Sequence, residues 1–124
     1  MSINILIADD HQVVRTGLKT MLAGTEFNVI AEAIDGDEAV KLAAKHKPDL
    51  VLLDIRMPGI DGLAALSRIK MAQPNTPVLM LSTYDNPTYV AKAVALGASG
   101  YILKGASRDE LIASFRKVAA GEDA

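Results

Sequence analysis

The chain has 124 residues, half of them hydrophobic, which suits one domain with a continuous core and leaves no material for a second. Its 13 basic and 15 acidic side chains give a net charge of −2, without the broad basic field that drives nonspecific nucleic-acid binding. The absence of cysteine excludes disulfides and thiolate metal sites, the N-terminal run lacks the marks of a signal peptide, and no apolar stretch approaches the roughly 20 residues of a membrane span, so a cytoplasmic protein is expected.

Taken in chain order, short apolar runs alternate with stretches of helical spacing. The first strand is expected at Ile3–Ala8, ending in Asp9 and Asp10, and is followed by a helix with Val14, Leu18, Met21 and Leu22 on one face and a stop at Gly24. Phe27–Ala33 is a second strand, running out at Ile34, and Ala39, Leu42 and Ala43 mark the next helix face. After Pro48 comes Leu50–Leu53, ending at Asp54, then a helix facing inward through Leu63, Leu66 and Ile69. Pro74 and Pro77 lead to Val78–Leu81, which ends in Ser82 and Thr83. Asn86-Pro87 offers a cap followed by proline at the first helical position, ahead of Val90, Ala93 and Val94 and a stop at Gly97. Gly100–Leu103 ends at Lys104, and Ser107 to Glu110 has the capping-box pattern before Leu111, Phe115, Val118 and Gly121. Runs this apolar suit strands covered on both faces, as in a parallel sheet. The expected architecture is α/β: a doubly wound, five-stranded parallel sheet of order 2-1-3-4-5, flavodoxin-like, forming one domain over residues 1–124. The tail from Ala120 to Ala124 is where a linker to another domain is expected.

In such sheets ligands bind beyond the carboxyl ends of the strands, where the strand order reverses. That rim gathers Asp9, Asp10, Asp54, Ser82, Thr83 and Lys104. Crowded carboxylates repel and retain protons unless a cation is present, and Mg²⁺, which favours oxygen ligands and phosphate, is the natural one. With it, one carboxylate can attack a phosphoryl donor while the metal and Lys104 neutralise the transferring group. Each residue also has a plainer reading: Asp9 or Asp10 as a helix cap, Lys104 as a snorkelling lysine, Ser82 or Thr83 as a cap. Their coincidence at neighbouring strand ends favours chemistry. His11 is expected to begin helix one as a solvated residue, His46 to lie at a basic helix end, and Met57, Met71 and Met80 to pack.

With these residues in place the chain resembles the receiver domain of two-component response regulators, the CheY-like family, over essentially its whole length. The matching motifs are Ile7-Ala8-Asp9-Asp10-His11, Asp54 to Gly62, Leu81-Ser82-Thr83 and Gly97 to Lys104. The wording around Asp9-Asp10-His11 and after Lys104 is similar to the NarL/FixJ subgroup, whose receivers precede a helix-turn-helix output domain absent from this chain. The resemblance implies a phosphoacceptor at Asp54, a direct Mg²⁺ ligand at Asp10, Asp9 acting directly or through water, and a further ligand in the Arg56 carbonyl. It implies that Ser82 hydrogen-bonds the phosphoryl group, that Lys104 pairs with it, and that Tyr101 is the aromatic that changes rotamer. The partners it implies are a sensor histidine kinase, a phosphorylation-dependent second copy, and DNA only through the missing output domain. One departure is Gly105, where many receivers have proline after a cis bond; a cis non-proline bond costs roughly 2.5–4 kcal/mol, which leaves the lysine head's position open.

Rival functions fare worse. Phosphatases with an aspartyl nucleophile carry a second acid two residues on, where this chain has Arg56. An FMN carrier needs a hydroxyl- and glycine-rich phosphate loop where Asp9 and Asp10 stand, and no G-x-x-x-x-G-K-[ST] pattern supports a nucleotide hydrolase. A receiver-like docking module would not need the complete acid set. The chain is expected to be a phosphorylatable signalling domain that assists its own phosphoryl transfer and dephosphorylation, not an enzyme acting on a separate substrate.

Overall fold

The computed structural model describes residues 2–83 and 87–123, so the cap expected at Asn86 lies outside the described residues. The elements alternate as β1 (Ile3–Ala8), α1 (Gln12–Leu22), β2 (Phe27–Ala33), α2 (Gly36–His46), β3 (Leu50–Asp54), α3 (Gly62–Ala72), β4 (Val78–Ser82), α4 (Pro87–Ala95), β5 (Gly100–Leu103) and α5 (Arg108–Ala119). All pairings are parallel and the sheet order is β2-β1-β3-β4-β5, as the sequence predicts.

Alternation along the strands divides the core. Leu6, Ala8, Val51, Leu53, Val78 and Met80 face the layer formed by α2, α3 and α4, while Ile5, Ile7, Leu50, Leu52, Leu79, Leu81 and Ile102 face α1 and α5. Covering both faces removes the strands from water and contributes about 25 cal/mol per Å² of apolar surface, which explains why the runs are continuously apolar. Phe27 and Phe115 close one end edge to face, with ring centroids 5.2 Å apart. Beside them Arg116 makes a two-point ion pair with Glu26, whose carboxyl is held down to about 2 mainly by its hydrogen bond from Arg116.

Local signals account for the helix ends. Ser107 and Glu110 form the reciprocal capping box, and Gly24, Gly97 and Gly121 all have positive φ. Asp35 and Asp61 cap α2 and α3 by accepting the backbone N–H of Glu38 and Ala64. Two expectations about packing require correction. Met71 is 82% exposed, because it lies about 200° around α3 from Ile69, and Val94 is 58% exposed, leaving Ala93 as the buried residue of α4. Met57 and Met80 are core residues, and His46 stands in the basic last turn of α2.

Candidate functional site

Register places the site. Ala8 is level with Leu53, so Asp9 emerges beside Asp54; Asp54 is level with Leu81, so Ser82 follows one residue beyond. Ser82 is in turn level with Leu103, which brings Lys104 to the same rim. β3 and β4 each run one residue past the apolar runs, so Asp54 and Ser82 are themselves the last strand residues. Asp9 is fully buried and Asp54 and Ser82 are nearly so, the only buried polar or charged residues among those described.

Lys104 Nζ lies 3.0 Å from Asp9 Oδ2 and 3.1 Å from Asp54 Oδ2, with hydrogen-bond geometry to Asp54. No peptide bond among the described residues is cis, so the ammonium reaches both acids across a trans Lys104–Gly105 bond. Burial raises the Asp54 pKa, and the neighbouring Asp9 charge raises it further; Lys104 and the Arg56 N–H oppose this without cancelling it. For Lys104, burial alone would lower the pKa, but the two carboxylates beside it outweigh burial and raise it.

Neither Asp9 nor Asp10 caps α1. The N-cap is His11, which has no side-chain cap, and Asp9 Oδ1 instead accepts the His11 N–H at 2.8 Å. His11 is exposed, as expected of a solvated residue, but its Nδ1 also sits 3.3 Å from Asp9 Oδ1 and 3.1 Å from Asp10 Oδ1. Arg15, which the sequence reading did not single out, donates to the Asp9 carbonyl at 2.7 Å and pairs with Glu32. Arg56 is exposed; its N–H donates to Asp54 Oδ1 at 3.3 Å and its guanidinium lies 5.9 Å from the Tyr89 ring centroid, a cation–π contact from β3's end to α4. A cavity of about 220 Å³ opens over Asp54, lined by His11, Ile55, Arg56, Ser82, Thr83, Tyr89 and Lys104. Tyr101 lies on β5 level with Met80, half-buried against the α2–α3–α4 side of the core, and is outside this cavity's lining.

Ligand atoms of Asp9, Asp10, His11 and Asp54 fall within 4.8 Å of one another. Asp9 Oδ2 and Asp10 Oδ1 are buried, the first facing the Lys104 ammonium as an ion pair and the second the His11 ring. Hard, anionic oxygens crowded in this way suit a divalent cation of the Mg²⁺ type.

Gly62 guards the geometry. A Cβ there would overlap the Asp54 carbonyl oxygen and lie 2.6 Å from Ile55 Cα. Gly62→Ala is expected to cost about 1–3 kcal/mol through overpacking and to displace the end of β3. Urea denaturation checks this; an unchanged midpoint would show that the loop yields freely.

Residues 5–116 match the family model of the response regulator receiver domain. The chain is a response-regulator receiver domain. The receiver is 43% identical over 120 residues to the transcriptional regulatory protein DegU of Brevibacillus brevis, covering 96% of this chain and 51% of that one. It thus spans about half the length of the curated relatives it matches. Among solved structures, it superposes on the receiver domain of the putative response regulator NarL from Mycobacterium tuberculosis with a TM-score of 0.92, 35% identity and 98% coverage of both chains, in line with the subgroup resemblance. A chain of the CheX–CheY–BeF3–Mg²⁺ complex from Borrelia burgdorferi gives a TM-score of 0.89 at 33% identity, covering 94% of the receiver and 88% of that chain. Among the described residues no helix is long and apolar enough to cross a membrane.

Proposed function

We propose that this receiver acts in the cytoplasm, where it accepts a phosphoryl group from the phosphohistidine of a sensor histidine kinase onto Asp54, with Mg²⁺ bound, and switches conformation to control transcription. The observation that carries the reading is the position of Asp54: it ends the central strand, hydrogen-bonded to Lys104 and beside a second buried carboxylate, under an open cavity. A carboxylate oxygen of Asp54 forms the new O–P bond as the donor's P–N bond breaks, and the imidazole leaves with a proton from solvent. Asp10 would hold the metal directly and Asp9 directly or through water, with Asp54 and the Arg56 carbonyl as further oxygen ligands. Bound Mg²⁺ offsets the mutual repulsion of the carboxylates and the charge of the transferring group. Lys104 holds one phosphoryl oxygen, and the Ser82 hydroxyl donates to another through a charge-assisted bond. The same machinery lets the receiver promote its own phosphorylation and dephosphorylation. Tyr101 turns as Ser82 moves, and the altered face supports pairing with a second copy. The relatives' greater length and regulatory names support a helix-turn-helix output domain beyond this segment, through which any DNA contact is made.

Incubation with Mg²⁺ and acetyl phosphate should add one phosphoryl group, mapped by peptide mass to the segment holding Asp54. Labelling at another residue, or equal labelling in chelator, would sink the reading.

A further inference from the structure

Resting on the reading of Asp9, Asp10 and Asp54 as a divalent-cation site, we propose that His11 gives that cation a nitrogen ligand through Nδ1, so that the site takes Mn²⁺, Co²⁺ and later first-row metals in preference to Mg²⁺. Metal–oxygen and metal–nitrogen bonds of about 2.0–2.2 Å set at right angles place neighbouring donors roughly 3 Å apart. His11 Nδ1 stands 3.1 Å from Asp10 Oδ1 and 3.3 Å from Asp9 Oδ1, close to the edges of such an octahedron. The four residues' ligand atoms lie within 4.8 Å, a few tenths of an ångström wider than the span of about 4.0–4.4 Å across it, so a small inward movement would close them on an ion.

The backbone holds the ring there. Asp9 Oδ1 accepts the His11 N–H at 2.8 Å, fixing His11 in an extended conformation just before α1. The ring is 65% exposed and is held by no packing; without metal its Nδ1 is within hydrogen-bond reach of Asp9 Oδ1 at 3.3 Å, the contact that a cation between them would replace. Two carboxylates, Asp9 and Asp54, share one ammonium, with Lys104 Nζ 3.0 Å from Asp9 Oδ2, and Asp10 Oδ1 is buried with only the His11 ring nitrogen beside it at 3.1 Å, so negative charge remains for a cation to take up. Imidazole nitrogen favours Mn²⁺ through Zn²⁺ along the usual affinity order, whereas Mg²⁺ gains little from it. To ligate, His11 carries its proton on Nε2 and offers the Nδ1 lone pair.

The test uses the metals themselves. Electron spin-echo spectra of Mn²⁺ bound to the wild-type protein should show nitrogen-14 coupling that disappears in His11→Ala and persists in His46→Ala; His46, the chain's other histidine, lies in the last turn of α2, away from the strand ends that carry the site. By calorimetry His11→Ala should lose on the order of tenfold in Co²⁺ affinity with Mg²⁺ affinity little changed. Mn²⁺ bound without nitrogen coupling, or equal losses for Co²⁺ and Mg²⁺, would overturn the role of His11 while leaving the carboxylate site intact. Failure of the wild-type protein to bind any of these metals would overturn both readings. Since the ring is exposed, a melting temperature equal to wild type is expected for His11→Ala and would exclude misfolding as the cause.

Discussion

Asp54→Asn is expected to take up no phosphoryl group and yet, without metal, to be the more stable protein. The substitution keeps the shape of the side chain and removes a charge that burial and Asp9 both disfavour. The sign follows from linkage. With its folded-state pKa above the ordinary carboxylate value, Asp54 binds its proton more tightly when folded; it costs nothing below that ordinary value, and the penalty grows as pH rises through the folded pKa. At neutral pH the asparagine variant should gain about 1 kcal/mol, or roughly 4 °C in melting temperature, as is common when a functional charge is neutralised. The gain should shrink towards pH 4 and in saturating Mg²⁺, which stabilises the wild type selectively. Melting curves in chelator at both pH values decide it. A variant less stable than wild type throughout would mean that Asp54 earns its place structurally.

Lys104→Ala should produce the largest loss of stability. It removes the ammonium that stands within 3.1 Å of both Asp9 and Asp54 and leaves two buried carboxylates facing each other. Breaking a buried ion pair costs about 3–5 kcal/mol; with the lysine partly open to solvent, about 2–4 kcal/mol is expected at pH 7 in chelator. Mg²⁺ should recover much of it, since a divalent cation at the same carboxylates replaces the lost charge, whereas phosphoryl uptake stays slow. Lys104→Met keeps most of the apolar stem and separates packing from charge: it should behave like alanine in chelator. Urea midpoints for the three proteins, with and without Mg²⁺, test this. If methionine restores full stability without metal, the lysine contributes packing and the acids are not held under mutual repulsion.

Most of the fold is legible in the sequence because both layers bury the strands. Ile3–Ala8, Phe27–Ala33 and Gly100–Leu103 coincide with the apolar runs, and the runs at β3 and β4 stop one residue short only because the next residues are polar. Those two residues, Asp54 and Ser82, belong to the candidate site, and hydropathy alone stops short of them. The gathering of Asp9, Asp54 and Lys104 follows from strand order and register, so it too is legible once a parallel sheet is inferred. What escapes is what depends on rotamers and on crossings between elements. His11 reads as solvated because its exposure is real, and periodicity carries no sign that one ring nitrogen turns back to the acids. Arg15 reaches the Asp9 carbonyl from the next helix, and the Arg56 guanidinium meets Tyr89 across the cavity mouth; neither contact leaves a trace in spacing. Met71 and Val94 show the limit of apolarity as a guide, since helix phase leaves both exposed.

The order in which β1, β3, β4 and β5 supply the rim has a consequence during synthesis. Asp9 and Asp10 leave the ribosome first, Asp54 later, and Lys104 only after all five strands have been made. A nascent chain that has just exposed Asp54 has neither β4 beside it nor the ammonium facing it. Pairing of β1 with β3 can set the acids side by side, but the ammonium joins them only when β5 docks on β4, so the complete charge set depends on completion of the sheet.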